Sequence, residues 1–121
     1  MEFAVVGGDA RFAYLARMLR SCGRDARAIR RDDGGVGGLV RAEAEDLNEA
    51  KNVIMNWPVN QGKEILERLS SGTRVYFCGP SAPEEIPEGI RAVDLWKDEQ
   101  LLLENAWLTA EGAVSAVMNK G

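Results

Sequence analysis

The 121-residue chain contains no histidine and only two cysteines. Without histidine it lacks the usual general base, the commonest metal ligand and every Ser–His or Cys–His nucleophile pair. We therefore expect no zinc site and no other metal site. Cys22 and Cys78 both lie in apolar surroundings near the ends of predicted elements, and in a protein that is not exported we expect them to be buried free thiols.

Long apolar runs are also missing. No stretch of the chain approaches the roughly 20 apolar residues that span a bilayer. Glu2 stands where a signal peptide carries positive charge, and the apolar stretch that follows it soon ends. We expect a cytoplasmic protein that does not associate with membranes.

The charge is unevenly distributed along the chain. Residues 1–41 hold eight arginines against five acidic residues, whereas the remainder holds seven basic against fourteen acidic residues. Nucleic acid is a poor candidate partner for a chain of net charge -4. The arginine-rich first third suits an anionic ligand or an acidic partner, and the alternative is that most of these arginines form a solvated helix face.

Five short segments have the composition of strands and alternate with helical patterns. Continuous apolar segments are typical of strands that are buried on both faces of a parallel sheet. The predicted strands are residues 3–6, 25–29, 52–55, 74–77 and 91–94. Three helices are predicted: one that stops at Gly23, one over about 61–71 with Asn60 as its N-cap, and one that begins near Thr109. The connection over residues 30–46 shows no helical period.

Strands that alternate with helices indicate right-handed βαβ units and a parallel sheet with helices on both faces. We predict one α/β domain over residues 1–121, a three-layer Rossmann-like or flavodoxin-like sandwich. Its five-stranded parallel sheet is expected to have the order 2-1-3-4-5.

Ligands of open α/β sheets bind beyond the carboxyl ends of the strands, at the switch in strand order. The first such loop contains Gly8, which allows close backbone approach, and Arg11, whose guanidinium suits a carboxylate or a phosphate. The alternative is a tight turn with Asp9 as an N-cap. The backbone around Gly79, after the fourth strand, is a further candidate lining of the cleft.

The glycine turn does not match the dinucleotide fingerprint G-x-G-x-x-G, because from either Gly7 or Gly8 the other required positions hold residues other than glycine. Asp9 also places a negative charge where a pyrophosphate would bind. A nucleotide site that uses Gly8 with Arg30 and Arg31 therefore ranks last among the hypotheses.

The loop after the third strand is Asn56-Trp57-Pro58. Asn56 can donate and accept hydrogen bonds near a ligand, and Trp57 can form a flat wall. The alternative is an Asx-type turn in which the tryptophan covers the sheet edge. Near the end of the chain, Thr109 is a good N-cap and Glu111 complements the helix dipole, while acid–base work by Glu111 is not required by the spacing.

Two segments resemble the N-terminal domain of the dehydrogenase-like subunit of the dipicolinate synthase family. "AVVGGDARFAYLARML" resembles the strand, Gly-Gly-Asp-Ala-Arg turn and helix that open that domain, and "ENAWLTAEGAVSAVM" resembles its asparagine, Thr-x-Glu-Gly and apolar helix. "NVIMNWPV" is similar in placement to the third strand and its loop. This dipicolinate synthase subunit is similar in architecture to D-2-hydroxyacid and alanine dehydrogenases.

This resemblance implies a substrate-cleft domain of an NADP-dependent oxidoreductase that forms dipicolinate from a dihydrodipicolinate-level precursor during sporulation. The family's nicotinamide-binding domain is absent from this chain, so we expect a piece of a longer protein that binds no cofactor by itself. The implied partners are the second, flavoprotein-like subunit of dipicolinate synthase, a small dicarboxylate and, as an open alternative, a second copy of the chain. The implied location is the mother cell of a spore-former.

Under that resemblance, Arg11 is expected to pair with a substrate carboxylate, with Gly8 and Asp9 shaping the cleft. Its remaining walls and hinge would be formed by Asn56, Pro58, Gly79, Thr109 and Glu111. The catalytic residue stays unassigned. A rival hypothesis is a free-standing, non-catalytic flavodoxin-like module that docks a partner.

Overall fold

The computed structural model describes residues 1–8, 10–59, 61–78 and 83–94. Over these ranges the chain alternates between strands and helices, as the sequence predicts. The strands are β1 (Phe3–Val6), β2 (Ala26–Ile29), β3 (Asn52–Met55), β4 (Arg74–Phe77) and β5 (Arg91–Asp94). The helical segments are α1 (Ala10–Ser21), a 3-10 helix (Ala44–Glu49) and α2 (Gly62–Glu67).

The five strands form one parallel sheet in the order β2-β1-β3-β4-β5. In register, Phe3 of β1 lies opposite Ala26 of β2 on one side and Asn52 of β3 on the other. The fold is therefore the α/β, Rossmann-like arrangement that the alternation predicts, and the predicted strand order is confirmed.

Side chains alternate between the two faces of the sheet, as the twofold period of a strand requires. Val5 of β1 belongs to a core cluster with Leu15 and Leu19 of α1. The next residue, Val6, belongs to a second cluster with Leu47 of the 3-10 helix and Leu66 of α2. The helix α1 thus packs on one face of β1, and the 3-10 helix and α2 pack on the other face.

Two helical segments differ from expectation. The 3-10 helix lies at the end of the connection that shows no helical period, and it buries a single residue, Leu47. The helix α2 is shorter than predicted and has Gln61, in the left-handed conformation with φ 59°, at the position expected for Asn60; Asn60 itself lies outside the described residues. Beyond the end of α2, the hydroxyl of Ser70 donates to the Asn48 carbonyl oxygen at 2.7 Å, which ties this segment to the 3-10 helix.

Both cysteines are free thiols, as expected, and Cys78 is buried. The expectation that Cys22 is buried is wrong, because this residue follows the last turn of α1 and faces solvent. Arg11, Arg17 and Arg20 are exposed on α1, in agreement with the solvated-face interpretation. In the described part of the chain, no helix is both long enough and apolar enough to cross a bilayer.

Candidate functional site

The carboxyl ends of β1 and β3 meet at the point where the strand order reverses. Gly7, which follows β1, has a φ of 67°. A Cβ atom on this residue would lie 2.7 Å from Cγ2 of Val59, so the chain that leaves β3 packs directly on the turn that leaves β1. This contact forms the floor of the crevice in which open α/β sheets bind ligands.

A groove of about 590 Å³ opens above this contact, and we call it the switch-point groove. Gly7 and Val59 contribute to its lining, together with Gln61 at the start of α2. Its charged residues are Arg31 and Arg68, which are basic, and Glu45 and Glu64, which are acidic. The groove therefore offers two guanidinium forks and two carboxylates to one ligand.

A second groove, of about 580 Å³, lies beside the end of β2, and we call it the β2-edge groove. Its charged lining consists of Arg30, Arg31, Arg41 and Glu43. Ile29, Arg31 and Ala44 line both grooves, so the two lie side by side at the carboxyl edge of the sheet.

One arginine of the β2-edge groove, Arg41, comes from a segment that returns along β2, whereas Arg30 and Arg31 follow β2 directly. The Ala28 N–H donates to the Val40 carbonyl oxygen at 2.9 Å, and the Ala42 N–H donates to the Ala28 carbonyl oxygen at 3.0 Å. Arg41 is thereby held against β2 in a parallel bridge with Ala28. Its Nη1 donates to the carbonyl oxygen of Arg31 at 2.7 Å, which ties together two of the lining residues.

Arg30 is fixed by a neighbouring carboxylate. Its Nε and Nη2 donate to Oδ1 of Asp32 at 3.3 and 3.2 Å, and its side chain is only 14% exposed. The same carboxylate oxygen accepts the Gly34 N–H at 2.9 Å. These bonds, the backbone N–H of Gly34 first and the Arg30 guanidinium second, hold the pKa of Asp32 below its ordinary value.

Gly8 and Arg11 lie on the side of the sheet that α1 covers, and neither lines the two grooves described above. Gly8 has a φ of 80°, and a Cβ atom there would overlap the ring of Phe12. The ring of Phe12 thus occupies the position of a Cβ atom, which explains the glycine, and Gly8 itself is exposed.

The loop after β3 favours the packing interpretation of its tryptophan. Trp57 makes an edge-to-face contact with Phe77, with ring centroids 6.0 Å apart, and the ring also covers Gly62 at the start of α2. Asn56 is half-buried, Pro58 is exposed after a cis peptide bond, and neither belongs to the lining of the two grooves.

Four predicted site residues lie outside the described residues: Asp9, Gly79, Thr109 and Glu111. Their proposed roles stay predictions, as does the role of Arg11 as a carboxylate partner. Among the residues that the structure describes, no group of three or more acidic or cysteine side chains could hold a metal ion.

The polar lining residues that sequence reasoning did not single out are Arg41, Glu43, Glu45, Gln61, Glu64 and Arg68. Arg41 carries one available signal, its position in the arginine-rich first third of the chain. No sequence signal marks Gln61 or Arg68 as a site residue. They flank α2, whose observed bounds differ from the predicted ones.

No protein-family model matches this chain, and no curated protein matches it. The class that the fold defines is the Rossmann-like α/β domain, with its candidate ligand grooves at the carboxyl edge of the sheet.

Proposed function

We propose that this chain is the substrate-cleft domain of an oxidoreductase similar to the dehydrogenase-like subunit of dipicolinate synthase, and that its switch-point groove receives the dicarboxylate. The observation that carries the proposal is the position of Arg31 and Arg68 in a groove at the reversal of strand order. Guanidinium forks pair with carboxylates through two parallel hydrogen bonds, which fixes both the position and the orientation of the ligand.

The two glutamates of the groove have a role in the same proposal. Glu45 and Glu64 cannot pair with a carboxylate, but their oxygens can accept a hydrogen bond from a ring N–H or hydroxyl. A partly reduced, ring-containing dicarboxylate carries such donors beside its two carboxylates. The mixed charge of the lining therefore suits a ligand of this kind better than it suits a simple dianion.

Within this proposal the domain binds and orients, and it does not carry the hydride acceptor. The nicotinamide cofactor is proposed to belong to a separate domain, as the resemblance implies. The flavoprotein-like subunit of dipicolinate synthase is the proposed protein partner. This chain's contribution is to hold the substrate carboxylate at the sheet edge.

The proposal is tested by titrating dipicolinate into the isotope-labelled chain and following backbone amide shifts. We expect saturable shifts at Gly7, Val59 and Gln61, and weaker binding of benzoate, which has one carboxylate. Arg68→Gln should weaken dipicolinate binding by roughly tenfold or more, because a charge-assisted hydrogen bond is lost.

The matched control is Arg17→Gln, which removes the same charge from an exposed position of α1. Arg11→Gln tests the sequence-based role of Arg11 in the same assay. If dipicolinate shows no saturable binding, or if Arg68→Gln and Arg17→Gln have equal effects, the proposed use of the switch-point groove is wrong.

A further inference from the structure

The charge of the β2-edge groove differs from that of its neighbour. Arg30, Arg31 and Arg41 line it together with one carboxylate, that of Glu43. The lining thus carries an excess of two positive charges, one of which is offset by the Asp32 carboxylate bonded to Arg30, in a chain whose net charge is -4. An arginine cluster in an otherwise acidic protein is a local exception to the charge of the whole molecule.

Two of these arginines are held in place before any ligand arrives. Arg30 is largely buried and bonded to Asp32, and Arg41 is bonded to the Arg31 carbonyl on a segment that pairs with β2. Holding the side chains in position lowers the entropy that binding would otherwise cost, since long side chains lose rotamer freedom when they are immobilised.

We propose that the β2-edge groove is a binding site for the dianionic phosphoryl group of a small phosphate monoester. A phosphoryl group offers three acceptor oxygens and close to two negative charges near neutral pH, which suit the guanidinium groups of Arg31 and Arg41, while Arg30 keeps its bond to Asp32. Apart from its charged residues the described lining consists of Ile29, Ala42 and Ala44. It holds no aromatic side chain on which a nucleobase could stack, so the ligand is recognised by its phosphoryl group.

This site is separate from the one assigned to the dicarboxylate, although both include Arg31. Arg41 lines the β2-edge groove alone, and Arg68 lines the switch-point groove alone. Single substitutions therefore distinguish the two proposals. Arg41→Gln should impair phosphoryl binding and spare dipicolinate binding, and Arg68→Gln should do the reverse.

The experiment uses the whole chain, titrated at physiological salt with inorganic phosphate, ribose 5-phosphate and adenosine 2′-monophosphate. We expect saturable amide shifts centred on residues 30–31 and 41–44. Arg41→Gln should weaken the binding of all three probes by roughly tenfold or more, and Arg41→Lys, which keeps the charge but loses the fork, by less. The control Arg17→Gln should leave all three affinities within about twofold, because Arg17 does not line the groove and salt screens exposed charges.

Similar affinities for the three probes support recognition of the phosphoryl group alone, and a preference for ribose 5-phosphate supports a phosphorylated sugar. A strong preference for adenosine 2′-monophosphate would instead make the nucleotide the source and contradict the lining argument. Absence of saturable binding by every probe would overturn the site. So would equal effects of Arg41→Gln and Arg17→Gln, in variants whose Ala28 and Ala42 amide shifts show that the β2 pairing is intact.

Discussion

The two faces of the sheet are covered in different ways, and the switch-point groove borders the face with the shorter helical segments. The helix α1 has 12 residues and buries five of them, so it seals the β1–β2 part of its face. The opposite face is covered by the 3-10 helix and α2, with six residues each. Both grooves border the starts of these short elements, which follow the carboxyl ends of β2 and β3.

The largest effects are expected from the buried leucines that anchor the two coverings. Leu19 of α1 and Leu47 of the 3-10 helix are both 0% exposed. Leu19→Ala and Leu47→Ala should each lower the free energy of unfolding by about 2–5 kcal/mol, through lost burial and the cavity left behind. Urea unfolding measures both.

The same pair of variants tests the contrast between the faces. Leu47→Ala should shift the amide signals of groove residues such as Ala44 and Arg31, whereas Leu19→Ala should leave them near their original positions. Equal disturbance of the grooves by both variants would show that the two faces are not independent.

Smaller losses of stability are expected from alanine substitutions at two glycines in the turns that flank α1. Comparing them separates the cost of backbone strain from the cost of a packing clash. Gly8 and Gly23 have φ values of 80° and 84°, but a Cβ atom at Gly8 would overlap Phe12, whereas one at Gly23 meets no atom within 4 Å. Gly23→Ala should cost about 1–2 kcal/mol, the penalty of a left-handed residue. Gly8→Ala should cost roughly 1–3 kcal/mol more because Phe12 must also move. Thermal unfolding of the two variants side by side gives the difference, and equal losses would contradict the packing of Phe12 on this turn.

The smallest effects are expected from two exposed carboxylates. At Asp25, desolvation acts to raise the pKa, and hydrogen bonds from Arg27 and Arg20 outweigh it, so the pKa lies below the ordinary value of 3.8. The pKa of Asp32 is also lowered, by the Gly34 N–H and by Arg30. A carboxylate with a lowered folded-state pKa stabilises the fold fully above its ordinary pKa, and this contribution is lost as the pH falls through the folded-state value.

NMR titration of the side-chain carboxyl carbons measures the pKa of each carboxylate, and so the pH range in which its contribution to stability is lost. Arg30→Gln should raise the pKa of Asp32 only in part, since the Gly34 N–H still donates to it, and should leave the pKa of Asp25 unchanged. If the pKa of Asp32 does not respond to Arg30→Gln, the Arg30–Asp32 ion pair described beside the groove is contradicted.

The strands and α1 could be predicted because their signals are local. Phe3–Val6 and Asn52–Met55 are continuous apolar segments, and the apolar residues of α1 recur at helical spacing up to Leu19. Such patterns report burial directly. The alternation of these elements then leaves few topologies, and the observed order β2-β1-β3-β4-β5 is one of them.

The location of the grooves at the carboxyl edge and the residues Arg30 and Arg31 could be predicted, but the other charged lining residues could not, because they come together only through tertiary contacts. Arg41 reaches the site through backbone pairing with Ala28, which leaves no apolar pattern in a stretch rich in glycine and charge. The loops that hold Gly7 and Val59 are expected to meet at the switch in strand order, but their direct contact is not indicated by the sequence. Arg11 belongs to the turn that has the clearest sequence signal, and it lines neither of the two grooves.

The pairing of residues 40–42 with β2 has a consequence for assembly. A strand at the border of a sheet presents unpaired N–H and C=O groups on which another chain can add a strand. Here the Ala28 N–H and C=O are bonded to Val40 and Ala42 of the same chain. The segment that follows the glycine-rich stretch therefore covers this edge of the sheet and blocks the addition of another strand. Shortening the glycine-rich stretch would expose the backbone N–H and C=O groups at the edge of β2, and we expect an otherwise folded protein to aggregate.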